Sequence, residues 1–97
     1  MARHEKDPIA WQFAENVIIY RRRAGMSQEQ LGFAAGLHRT EIGQLERGHR
    51  LPRIDTLVRL AGSLKVPPGD LLKGMAWKPG GGPSGRFLMR NPERVID

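Results

Sequence analysis

His4, His38 and His49 are the side chains best able to hold a metal or pass a proton, and their spacing suits neither task. His38 and His49 stand eleven residues apart, whereas two ligands on one helical face stand at i and i+4. The chain has no cysteine, which removes thiolate ligands, a thiol nucleophile and a disulfide framework together. No paired carboxylates and no nucleophile-base array stand out, so the expectation is no enzyme, no metal, no cofactor and no small-molecule substrate. The remaining polar chemistry is cationic and amide-rich, concentrated in His38, Arg39, Thr40, Gln44, Arg47, His49, Arg50 and Arg53.

Sixteen Lys and Arg against ten Asp and Glu leave a formal charge of +6 over 97 residues, so the natural partner is a polyanion. A membrane partner would need a long apolar run or a strongly basic amphipathic helix, and neither is visible. The opening residues MARHEKD lack the apolar stretch of a secretory signal. The expected location is the cytoplasm, on the nucleoid. Sequence-reading RNA modules expose aromatic stacking platforms, and six aromatics, several of them at core spacing, make a poor platform. Duplex DNA is the better match.

The elements that must carry these residues are helices. Asp7-Pro8 starts the first, with a side-chain cap and a proline where no amide is needed. Phe13, Val17, Tyr20 and Ala24 then fall on one helical face, and Gly25 stops it. Ser27-Gln28-Glu29-Gln30 is a capping-box pattern opening a second helix over residues 28–35, which Gly36 ends. A third runs from His38 to about Arg47 with Ile42 and Leu45 inward. Ile54, Leu57, Leu60, Ala61 and Leu64 mark a fourth, and Pro67-Pro68 leads into a short fifth through Leu71, Leu72 and Lys73. Residues 78–85, rich in Gly and Pro, read as a loop or linker, and residues 86–90 suit one short strand. A single domain over residues 7–74 with a Gly/Pro-rich C-terminal extension over 75–97 is expected.

Two short helices joined at Gly36-Leu37 make a helix-turn-helix, in which one helix braces on the backbone while the other enters the major groove. The run Met26-Ser27-Gln28-Glu29-Gln30-Leu31, then Gly36-Leu37-His38-Arg39-Thr40-Glu41-Ile42 and Leu45-Glu46-Arg47-Gly48, resembles the Cro/C1-type (XRE-like) helix-turn-helix family. The resemblance covers roughly residues 7 to 73. It implies an all-α, five-helix, lambda-repressor-like domain that binds double-stranded DNA and regulates transcription, as a dimeric repressor.

By the same resemblance Gln28 meets a phosphate, and Arg39, Thr40 and Gln44, with Glu41 a weaker candidate, fall at base-reading positions. The chemistry agrees: Arg pairs with guanine O6 and N7, Gln with adenine N6 and N7, and Thr meets a thymine methyl. His38, Arg47, His49, Arg50 and Arg53 surround that helix and its exit loop, where cations lie along phosphates. Glu46 is an anion in this basic stretch; the resemblance pairs it with Arg21 in a structural ion pair between the first and third helices. Three residues depart from the family pattern. Gly43 lies inside the recognition helix, where it either admits close approach to DNA or is tolerated. Gly32 stands where alanine is usual, which reads as close packing. Arg53 replaces the usual hydroxyl cap of helix four.

Trp11 and Ile18 lie off the main stripe of the first helix, and Trp77, Phe87, Leu88 and Met89 occupy the extension. Two arrangements would cover them: the extension folds over its own first helix, or extensions pack across a homodimer. The second is favoured, because two half-sites a helical turn apart call for a two-fold partner. The same domain would also suit an antitoxin or adaptor with a protein partner, or a restriction-modification controller.

Overall fold

The computed structural model describes residues 7–89; His4, Arg90 and the last seven positions of the extension lie outside it. Four α-helices, α1 (Pro8–Arg23), α2 (Gln28–Ala35), α3 (Arg39–Glu46) and α4 (Ile54–Leu64), are followed by a 3₁₀ turn (Pro68–Leu72) and two strands, β1 (Met75–Pro79) and β2 (Gly85–Met89). Among the described residues no helix is long and apolar enough to cross a membrane.

The helix starts are set by local chemistry. Asp7 Oδ1 accepts from the Ala10 amide at 3.1 Å, with Pro8 at the first helical position. At α2 the Ser27 hydroxyl accepts from the Gln30 amide at 3.0 Å, while Gln30 Oε1 accepts from the Ser27 amide at 2.8 Å. One apolar core unites the helices: Phe13 and Val17 of α1, Leu31 of α2, Ile42 and Leu45 of α3, Leu57 and Leu60 of α4, and Leu71 are all buried.

Five features differ from the sequence reading. The expected fifth helix is a 3₁₀ turn; five residues containing Pro68 and Gly69 offer too few amides, and too little helix propensity, for an α-helix. The expected loop and single strand are instead an antiparallel hairpin, so the described residues are mostly helical and not all-α: Lys78 and Pro79 end β1, Gly85 begins β2, and the turn is confined to residues 80–84. Ala24 is exposed, because α1 ends at Arg23. Ile54, counted with the inward stripe of α4, is 76% exposed. Finally, two amide side chains enter the interior: Asn16 Nδ2 donates to the carbonyls of Leu71 at 3.0 Å and Lys73 at 2.9 Å, and Gln12 Nε2 donates to Asn16 Oδ1 at 3.3 Å. This relay fastens the 3₁₀ turn to α1.

In the hairpin Met75 faces Met89 and Trp77 faces Phe87. The Trp77 and Phe87 rings meet edge to face with centroids 4.9 Å apart, and the indole also lies over Gly85, where no side chain intervenes. β2 packs on α1 of its own chain, and Met75 packs against the core.

Candidate nucleic-acid interface

The corner between α2 and α3 is tight. Gly36 takes φ 72°, a left-handed conformation that glycine adopts without steric cost. The Leu37 amide then donates to Gly32 O at 2.8 Å, laying the turn back on α2. A Cβ on Gly32 would stand 2.7 Å from Leu37 O. The missing side chain is what lets the two helices approach.

α3 begins at His38, whose amide donates to Glu41 Oε1 at 3.0 Å. Ile42 and Leu45 turn into the core, which leaves Arg39 and Thr40 exposed on the first turn and Gln44 half-buried one turn later. Arg50 reaches back from the exit loop. Its Nη1 donates to Gln44 Oε1 at 3.1 Å, and its Nη2 stands 3.9 Å from Glu41 Oε2. Glu41 is therefore engaged by the helix cap and by Arg50, and Gln44 by Arg50.

The other cations form a rim. Arg47 is exposed at the end of α3, and its guanidinium lies over Gly43, where a Cβ would stand 3.1 Å from Nη1. The absent side chain at 43 thus makes room for Arg47. His49 is exposed, and its amide donates to the Gln44 carbonyl at 3.0 Å, pinning the exit loop to the helix. Arg53 occupies the cap of α4 without a side-chain cap bond and pairs instead with Asp55, Nε to Oδ1 3.2 Å.

Behind this surface Arg21 and Glu46 meet directly, Nε to Oε2 at 2.6 Å, with side chains 13% and 4% exposed. Gln28, expected at a phosphate, joins them: its Nε2 donates to Glu46 Oε1 at 2.9 Å. The hydrogen bond that Arg21 donates to Glu46 holds the Arg21 pKa above the usual guanidinium value, against the opposing effect of burial. A raised arginine pKa adds stability that is present below the usual guanidinium value and is lost only as pH rises through the higher folded one. At working pH the cation of this pair stays charged.

Within the single chain the surplus apolar residues fall into two groups. Trp11 and Ile18 are half-buried on α1, Leu88 and Met89 are half-buried where β2 meets its own chain, and Trp77 and Phe87 remain about half exposed. A second uncovered strip was not singled out in the sequence: Leu51 (49% exposed), Ile54 and Val58 (51%) line up along the start of α4. Its signal is the i, i+4 pair Ile54 and Val58, which widens the apolar stripe of α4 beyond what one core can cover. Phe33 of α2, 90% exposed, also escaped notice.

A capped helix, a glycine corner and a second helix presenting Arg39 and Thr40 beyond a cationic rim define a helix-turn-helix DNA-binding regulator. The chain belongs to the HTH_3 helix-turn-helix family, which it matches over residues 17–71. It is 48% identical over 59 residues to the control protein C.SmaI of Serratia marcescens, covering 61% of this chain and 70% of that protein. Its fold is similar to the crystal structure of the restriction-modification controller protein C.AhdI from Aeromonas hydrophila, with TM-score 0.63, 34% identity and coverage of 64% of this chain and 94% of that one. The P22 c2 repressor in complex with a synthetic operator is similar at TM-score 0.60 and 31% identity, with 64% and 94% covered. The hairpin lies beyond the residues that match the family.

Proposed function

We propose that this protein is a controller-type regulator, working on the nucleoid in the cytoplasm, that binds an operator upstream of its own gene as a homodimer and represses from it. The observation that carries the reading is the exposed first turn of α3, Arg39 and Thr40, held by a capped and glycine-turned corner in a chain 48% identical to a control protein over 59 residues. Arg39, Thr40 and Gln44 read base edges, while His38, Arg47, His49, Arg50 and Arg53 follow phosphates. Glu41 serves the α3 cap. Residues 7–74 form the DNA-binding unit, and the extension from residue 75 contributes to pairing.

Pairing is supported by the exposed residues Leu51, Ile54 and Val58, of which Leu51 and Ile54 line, with Leu72 and Met75, an apolar groove of about 200 Å³. Arg53, Asp55 and Arg59 carry both signs of charge along the same helix. A face with an apolar centre and a mixed-charge rim is complementary to itself, as a two-fold contact requires.

Nuclease footprinting of the DNA upstream of the gene tests the reading. Two protected half-sites related by a dyad, about 10 base pairs apart centre to centre, are expected. Uniform, sequence-independent protection at every concentration would overturn it.

A further inference from the structure

We infer that Arg50 sets which base Gln44 can read, drawing its amide oxygen to the guanidinium so that the nitrogen end is the one offered to the groove and guanine is selected over adenine. The inference rests on the reading of α3 as the base-reading helix.

A guanidinium has donors and no acceptor, so an amide facing it must present its oxygen. Gln44 does so, with Oε1 accepting from Arg50 Nη1 at 3.1 Å, which leaves the two N–H groups at the end of the amide that Arg50 does not hold. Arg50 is itself held in place. The preceding residue, His49, is pinned by its amide to the Gln44 carbonyl at 3.0 Å. The second arm of the guanidinium faces Glu41 Oε2 at 3.9 Å, and the other oxygen of Glu41 is fixed by the His38 amide at 3.0 Å. Cap, carboxylate, guanidinium and amide thus form one chain of contacts across α3, with Glu41 and Gln44 a single turn apart on the same face.

The consequence lies in the groove code. Pairing with adenine uses both ends of the amide, the oxygen accepting from N6 and the nitrogen donating to N7. Here the oxygen is turned to Arg50, which takes one of its two lone pairs, so adenine N6 would meet an N–H group at the end of the amide offered to the groove. Guanine offers two acceptors, N7 and O6, and suits an outward amide nitrogen. Arg50 is a positioning residue in this scheme, distinct from its contribution to phosphate contact.

The test is selection from a pool of duplex DNA with a randomised centre, carried out with the parent, Gln44→Ala and Arg50→Met. Gln44→Ala identifies the position that Gln44 reads, as the one whose preference disappears. Guanine is expected there for the parent, with adenine disfavoured at least about fivefold. Arg50→Met frees the amide to rotate and is expected to admit adenine at that position alone, while total binding weakens. Adenine at that position in the parent, or an unchanged preference in Arg50→Met, overturns the inference and leaves base reading by α3 intact. If Gln44→Ala erases no position, base reading at 44 falls and the inference falls with it. If the parent enriches no sequence at all, it is the operator-binding reading that has failed.

Discussion

Arg21 grips Glu46 with two arms, Nε to Oε2 at 2.6 Å and Nη2 to Oε1 at 3.0 Å, and so ties the last turn of α1 to the last residue of α3. Its third arm, Nη1, donates to the Met26 carbonyl at 2.9 Å, fixing the approach to α2 as well. One arginine therefore sets the placement of both helices of the motif.

Removing one partner strands the other charge in a largely buried site. Glu46→Ala is expected to cost about 3 to 5 kcal/mol in urea unfolding, well above the fraction of a kcal/mol carried by an exposed pair. Arg53→Ala, which breaks the exposed pair with Asp55, is the control and should melt like the parent. Parental stability of Glu46→Ala together with lost DNA binding would put Glu46 on the DNA face.

Two glycines should respond oppositely to alanine. A methyl group on Gly62 in α4 would meet nothing within 4 Å, so Gly62→Ala should stabilise by about 0.5 to 1 kcal/mol through helix propensity. At Gly32 the same gain is opposed by a contact of 2.7 Å with a backbone carbonyl, which has no flexible side chain to yield. Overpacking costs about 1 to 3 kcal/mol, so Gly32→Ala should be destabilised on balance. Paired thermal melts decide; a raised Tm for Gly32→Ala would mean that the corner gives way.

The contrast between what the sequence reveals and what it hides follows the range of each interaction. Ser27 and Gln30, or Asp7 and Ala10, satisfy each other within three residues, so the helix starts and the corner are readable directly. The hairpin depends on pairing Met75 with Met89 across a glycine-rich turn, and those glycines mask the alternation Met75, Trp77 and Phe87, Met89. Asn16 finds its acceptors 55 and 57 residues away, and nothing near it in the chain marks it as buried. Ile54 lies on a clear helical stripe, yet periodicity alone does not tell which members of a broad stripe the chain's own core reaches. At the site, residue types pointed to DNA, but the engagement of Glu41 and Gln44 by Arg50 depends on the path of the exit loop.

Asn16→Ala should uncouple the 3₁₀ turn from α1. The carbonyls of Leu71 and Lys73 lose a shared donor in a site where Asn16 is 4% exposed, a loss of about 1 to 3 kcal/mol. Hydrogen exchange should localise the opening to residues 66–89 while the α2–α3 corner keeps its protection. Uniform loss of protection would mean that the relay supports the whole core.

Base contact and phosphate contact separate by salt and sequence. Arg39→Ala should cost about 1 to 3 kcal/mol on the selected operator and relax the preference at one position. Arg53→Ala should weaken all duplexes alike and reduce the slope of log K against log salt by about one. Binding isotherms on specific and scrambled duplexes at several salt concentrations distinguish them. Equal losses on both duplexes for both variants would remove Arg39 from the base-reading set.

Ile54→Asp tests the pairing face. Ile54 is 76% exposed in the single chain, so a carboxylate there costs the monomer fold little, whereas across a two-fold axis it would place two like charges in an apolar contact. Sedimentation should show the parent as a dimer and Ile54→Asp as a monomer with an unchanged helical circular dichroism spectrum. Its affinity for a single half-site should persist, while affinity for the full dyad operator falls because the second recognition helix is no longer tethered. A hairpin variant, Trp77→Ser, addresses the other half-exposed apolar pair: monomer formation there, with Ile54→Asp still dimeric, would move the interface from α4 to the extension.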